Sequence, residues 1–215
     1  YALITIAIFG MWYYARYEGN FLPSPKKTFN PMMIVAIVIL VPGTQFAANF
    51  IANLTGYIRP DWLQQYNELF ETSGITDTTF VTVLYSVILA PICEELIFRG
   101  VTMRCARKAL PFALANLMQA ALFGLFHLNW IQGIYAFALG IVLGYVCERG
   151  GSIYYSMGLH LLFNLWGTLS GFFPDPGNSV VVFVVVIVVT IVSLVAGFVL
   201  FNKGRRKLPI NSTGI

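Results

Sequence analysis

The chain has 215 residues, of which 58% are hydrophobic and 10% charged, against roughly a quarter charged in a soluble globular domain. Its mean hydropathy of +0.75 excludes a water-soluble globule, and a disordered chain as well, since disorder needs low hydrophobicity. The net charge of +4 comes from 13 Lys and Arg against 9 Asp and Glu; in so apolar a chain it bears on membrane orientation, and no nucleic-acid partner is expected.

Seven apolar stretches of the kind that cross a bilayer, each about 20 residues in the ideal case, follow one another. Residues 1–15 form a short first span that opens on Tyr1 and not on Met; an eighth helix upstream would return the N-terminus to the inner side. Residues 31–57 form the second. The third, 78–100, carries Glu94-Glu95 near its end. The fourth, 111–130, and the fifth, 131–146, follow with almost no loop between them. The sixth is 153–173. The seventh, 180–201, is nearly pure Val, Ile, Leu and Phe and reads as lipid-facing. Alternating segments of about ten residues, the mark of a membrane β-barrel, do not occur. The expected fold is therefore all-α, a polytopic transmembrane helical bundle.

Between spans two and three, Trp62, Leu63, Tyr66, Leu69 and Phe70 recur at helical spacing among charges. This predicts a helix lying in the outer interface, an anchor in preference to a substrate gate. The organisation is then residues 1–77 as N-terminal spans and outer interfacial segment, 78–173 as the membrane core, 174–201 as a C-terminal span and 202–215 as a basic cytoplasmic tail.

The basic residues set the orientation. Arg16, Lys26 and Lys27; Arg99, Arg104, Arg107 and Lys108; Arg149; and Lys203, Arg205, Arg206 and Lys207 all fall on alternate connections. The opposite side keeps only Arg59, among Asp61, Glu68, Glu71 and Asp77. Such asymmetry predicts that these connections and the C-terminus of a multi-pass membrane protein face the cytoplasm. The three cysteines, Cys93, Cys105 and Cys147, are odd in number and form no CxxC pair, so neither a disulfide framework nor a zinc ribbon is implied. No signal-peptide pattern is seen. The sequons at Asn53 and Asn211 read as chance, the second being cytoplasmic by the charge rule.

Ionisable groups inside a bilayer cost roughly 2.5–3.5 kcal/mol each on insertion scales and mark function by default. Glu94 and Glu95 end an apolar run. Arg99 lies four residues after Glu95, so those two share a helix face and are expected to pair. Both histidines of the chain, His127 and His160, fall within apolar spans, and Asn164 follows His160 at i+4. That every histidine, the paired glutamates and an asparagine are intramembrane favours a functional site over scattered core polarity.

Three motifs carry a resemblance. Glu94 to Arg99 reads EExxxR, Phe123 to His127 reads FxxxH, and His160 to Asn164 reads HxxxN. In this order, on successive spans, they resemble the CPBP family of intramembrane proteases: type II CAAX prenyl endopeptidases, Abi proteins and bacteriocin-processing proteins. The resemblance covers about residues 78–173. It implies a Glu-dependent peptide hydrolase, with Glu94 as general base, His127 helping to hold the attacking water, and His160 and Asn164 donating to the oxyanion. Glu95 and Arg99, with Phe123, are then structural support.

The chemistry fits such a role, since no serine or cysteine is placed beside an evident base, and a carboxylate near an imidazole can activate water directly. A zinc reading competes, with Glu94, His127 and His160 as a His2Glu set; the HExxH helix signature is absent, and no cofactor is the preferred expectation. By residue count Glu94 lies near the inner end of its span, and His127 reaches mid-depth only if the fourth and fifth spans form a short hairpin. The expected partners are the lipid bilayer and a membrane-associated peptide or lipidated protein, reached through a water-filled cavity open to the cytoplasm. The 33-residue spacing of the histidines resembles the bacterial branch more than the prenyl proteases, which favours a small membrane-bound bacterial peptide or protein. A non-catalytic membrane scaffold binding a membrane or extracellular protein, and a proton-coupled transporter, are the alternatives; inverted repeats, which would support a transporter, are not seen.

Overall fold

A computed structural model describes residues 2–21, 29–73, 79–170 and 179–205, and the described residues contain eight helices and no strand. They are α1 (Ala2–Phe21), α2 (Pro31–Ile58), α3 (Pro60–Ser73), α4 (Phe80–Arg107), α5 (Phe112–Phe126), α6 (Trp130–Gly150), α7 (Ile153–Ser170) and α8 (Val180–Arg205). Lys26, Lys27, Asp77, Arg206, Lys207 and the Asn211 sequon lie outside the described residues.

The helix ends follow local chemistry. Asn30 caps α2, its side chain accepting from the Met32 amide at 2.9 Å, with Pro31 in the first helical position. Thr79 and Thr82 form a reciprocal capping box at the start of α4. Asn129 caps α6, which ends on Gly151 in the left-handed region at φ 65°.

Four of the seven expected spans have the length and composition to cross a membrane: α2, α4, α6 and α8. α1 is apolar only over Ala2–Ala15, and α5 has 15 residues, about 22 Å at 1.5 Å per residue, against a hydrocarbon layer of about 30 Å. α7 has 18 residues and spends several of its positions on Ser156, His160 and Asn164. The boundaries also move. The third span does not stop at Gly100: the helix continues to Arg107, because Met103 and Ala106 stay buried on the same side. Glu94 therefore sits at the midpoint of a 28-residue helix, not near its inner end.

The helices pack through small residues, as membrane helices do when no hydrophobic effect drives them together. α8 buries only Ser193, Gly197, Phe201 and Gly204, and its other positions leave the valines outward. Its partner is α2, where a Cβ on Gly43 would lie 3.0 Å from the Leu194 backbone nitrogen. Pro42 interrupts the hydrogen-bond ladder of α2. At the next rung, the Ser193 hydroxyl of α8 enters that ladder, accepting from the Gly43 amide at 3.1 Å and donating to the Ile39 carbonyl. A second close seam joins α5 to α6, where a Cβ on Gly124 would meet the Gly133 carbonyl oxygen at 2.5 Å.

α3 is polar along one side and packs on the start of α6 by stacking Trp62 on Trp130, ring centroids 5.3 Å apart. Arg59 and Asp61 pair across the α2–α3 corner at 2.6 Å in an exposed place. The hydrogen bond from Arg59 holds the Asp61 carboxyl below the usual carboxylate range.

Candidate active site

The site begins with a defect in α4. Over Leu84–Leu89 and again over Leu96–Met103 the helix widens to i→i+5 hydrogen bonding, a departure that recurs at functional positions. Between the two stretches stands Pro91. The Ala90 amide bonds to Tyr85, and the next amide nitrogen, that of Pro91, has no hydrogen. The Ser86 carbonyl is thus left without a helical donor. Asn164 of α7 supplies one, its Nδ2 donating to the Ser86 oxygen at 2.8 Å. An unpaired carbonyl in hydrocarbon costs several kcal/mol, so this bond ties α7 to α4 at the level of the site.

Glu94 and Glu95 follow Pro91 by one turn. Glu95 and Arg99 are fully buried and form an ion pair at 2.8 Å, the i, i+4 contact that the spacing predicts. Helical spacing alone turns Glu94 away from that pair. In the structure both glutamates nevertheless reach the same imidazole: His160 Nδ1 lies 3.0 Å from Glu95 Oε1, and His160 Nε2 lies 3.5 Å from Glu94 Oε2. The Glu94 side chain keeps 17% of its surface, while Glu95 keeps none. One carboxylate is held by internal partners and the other is open on one side. The histidine in contact with Glu94 is therefore His160, whereas the resemblance gave that neighbour's part to His127.

His127 stands where α5 ends. Its Nδ1 lies 2.8 Å from the Phe123 carbonyl oxygen; because a carbonyl only accepts, Nδ1 carries the hydrogen and the Nε2 lone pair is free in the neutral ring. The Phe123 ring meets the edge of His127 at 4.9 Å and of His160 at 5.7 Å, and the Arg99 guanidinium lies over it at 4.5 Å. Phe123 is thus the apolar divider against which both imidazoles and the guanidinium pack. The chain then turns through Leu128, which is 93% exposed and takes a left-handed φ of 54°, a conformation costing about 1–2 kcal/mol for a non-glycine residue.

Two residues of the cluster escaped sequence reasoning. Gln119 and Asn116 lie on the α5 face that carries Phe123, and both are buried. Gln119 Nε2 donates to the Gly140 carbonyl at 2.9 Å and to Asn116 Oδ1 at 2.7 Å, and Asn116 Nδ2 donates to the Ile141 carbonyl at 3.0 Å. Arg99 Nη2 donates to the same Gly140 oxygen at 3.2 Å. The available signal was an amide pair inside an apolar span at the spacing that ends in FxxxH.

Among the described residues no three His, Cys, Asp or Glu side chains are arranged to hold a metal ion, so the set Glu94, His127 and His160 is not assembled as a ligand sphere. An apolar groove of about 570 Å³ lies elsewhere, between α1 and α4, lined by Ile8, Phe9, Met11, Trp12, Ala15 and Val101.

No curated protein and no solved structure matches the chain. Residues 76–166 match the family model described as Type II CAAX prenyl endopeptidase Rce1-like, and that stretch contains all three motifs and every residue of the cluster just described. Residues 76–166, less than half of the chain, are thus similar to the Rce1-like type II CAAX prenyl endopeptidases, and four helices are long and apolar enough to cross a membrane.

Proposed function

We propose that the chain is an intramembrane endopeptidase that hydrolyses a peptide bond with a water activated by Glu94. The observation that carries this reading is the unequal pair of carboxylates on one imidazole: Glu95 engaged by Arg99 and His160, Glu94 held at 3.5 Å and partly open. With Glu95 ionised against Arg99, His160 donates from Nδ1 to Glu95. Its Nε2 then faces Glu94, and since two lone pairs repel, a proton is shared between them. Glu94 accepts the proton of the attacking water and His160 returns one to the leaving amine, the paired acid–base arrangement that peptide hydrolysis needs. The His127 Nε2 lone pair receives a hydrogen bond from the same water. The second hydrogen of the Asn164 amide, not used on Ser86, is the donor for the developing oxyanion. This scheme uses only side chains.

The basic connections support an opening of the site, and a C-terminus, on the cytoplasmic side of a bacterial plasma membrane. The water-filled cavity is expected to open there, so the substrate brings its scissile bond to that interface: a membrane-associated peptide, or a protein with a lipidated tail. The preferred substrate is a small membrane-bound bacterial peptide without a prenyl group.

The test is cleavage in proteoliposomes of a CAAX peptide with and without its prenyl chain, by wild type and Glu94→Gln, with and without a chelator. The expected result is cleavage that falls about 10²–10⁴-fold in Glu94→Gln, survives chelation and does not require the prenyl group. Undiminished cleavage by Glu94→Gln overturns the mechanism, strict dependence on prenylation overturns the substrate preference, and cleavage of neither peptide by wild type points to a scaffold.

A further inference from the structure

We infer that Gln119, fixed by Asn116, is a positioning residue that aims the Arg99 guanidinium at Glu95 and, through Glu95, holds the His160 ring in place against Glu94. This rests on the proteolytic reading above for its kinetic consequence, though not for its geometry.

The orientation of the Gln119 amide is not arbitrary. Both partners of Nε2, the Gly140 carbonyl and Asn116 Oδ1, are acceptors in this arrangement, and Asn116 Oδ1 is free to accept because Nδ2 is spent on the Ile141 carbonyl. Gly140 O thus receives Gln119 from α5 at 2.9 Å and Arg99 from α4 at 3.2 Å. One oxygen on α6 is the meeting point of two side chains from two other helices. Its exposure to both depends on missing Cβ atoms. A Cβ on Gly144 would lie 1.9 Å from Asn116 Oδ1 and 2.7 Å from Gln119 Nε2, and one on Gly140 would lie 3.1 Å from Ala120 and 3.2 Å from Phe123. The glycines open a notch in α6, and the amide pair fills it.

The consequence runs through Arg99. Its plane is held against Phe123 at 4.5 Å, Nη1 donates to Glu95 and Nη2 to Gly140. Gln119 occupies the other approach to the Gly140 oxygen, so the guanidinium has one place to dock. Without that donor it can slide along the carbonyl into the notch, and the Nη1 contact with Glu95 lengthens. Glu95 moves with the guanidinium, and the His160 ring that it holds at 3.0 Å is loosened from its place against Glu94 and becomes more open to reagent. The chain of contacts Asn116, Gln119, Gly140, Arg99, Glu95, His160, Glu94 crosses α5, α6, α4 and α7, and the buried networks in which such coupling operates are non-additive.

Gln119→Met keeps the length of the side chain and removes its donor. In proteoliposomes its kcat on the peptide that wild type cleaves should fall about tenfold with KM unchanged, and in an Arg99→Lys background the same change should cost less than about twofold. Independently of activity, diethyl pyrocarbonate labelling read by mass spectrometry should rise several-fold at His160 while staying constant at His127. Wild-type kcat in a folded Gln119→Met, a full tenfold loss in the Arg99→Lys background, or equal rises at both histidines would overturn the inference. If Gln119→Met does not fold, Asn116→Ala, which leaves Gln119 without its side-chain acceptor, is put through the same measurements, with the same outcomes supporting or overturning the role. If wild type cleaves nothing, the proteolytic reading fails while the labelling contrast still decides the positioning role.

Discussion

Two helices of this protein are broken by proline, and the two breaks are mended differently. In α2, Pro42 is accompanied by the Ser193 hydroxyl, which slips between the Ile39 carbonyl and the Gly43 amide. Those two groups are i and i+4 on one helix; if Ser193 withdraws, they close on each other. In α4, Pro91 leaves the Ser86 carbonyl with no amide to turn to, and only Asn164 from another helix reaches it. The first repair is redundant and the second is not. The difference is one of place: the repair without a substitute fixes α7 against α4 at the turn where His160 meets both glutamates.

Removing the cluster's charge gives the largest expected effect. Arg99→Ala removes the charge partner of the fully buried Glu95 and leaves it only the His160 imidazole, which costs about 3–5 kcal/mol; yield and thermal stability in detergent should collapse together with activity, and normal expression with full activity would break the distinction between the two regions. Asn164→Leu comes next. With no other donor for Ser86, melting should report a loss of about 1–3 kcal/mol, and kcat should fall further than stability explains if the donor proposed for the oxyanion goes with it. A variant with wild-type kcat would make Asn164 a helix tie alone. The smallest effect is assigned to Ser193→Ala. The α2 ladder recloses, so the loss should stay within about 1 kcal/mol, with kcat and KM unchanged. A large drop in stability there would show that the α2–α8 seam is no more forgiving than the site.

Much of this was legible from residue types and spacing. Glu94, Glu95, Arg99, His127, His160 and Asn164 stand out because each is costly in an apolar run, and the i, i+4 rule pairs Glu95 with Arg99. The helical class follows from apolar runs without alternation. What spacing does not reveal is which groups from different helices meet. His160 bridges Glu94 and Glu95 because α7 crosses α4 at Pro91, and neither the crossing nor the widened turns on either side of it has a period that a sequence window detects. The α4 boundary moved because a buried arginine inside a helix looks, in sequence, like the charge that ends one. Gln119 and Asn116 were passed over since amides carry no charge, although in lipid they need partners nearly as much.

The short α5 has one more consequence, and it concerns the lipid. Its 15 residues fall about 8 Å short of a typical hydrocarbon layer, and the turn at Leu128 follows directly upon His127. Acyl chains beside this hairpin must compress or tilt to meet it, at a fraction of a kcal/mol for each ångström of mismatch. The protein therefore travels with its own dimple of thinned bilayer, centred on the end of α5. On the proteolytic reading proposed above, a peptide lying in the headgroups is lowered toward Glu94 by the membrane's own deformation, and the depth of that dimple, set by the lipids around it, counts for cleavage as much as any side chain.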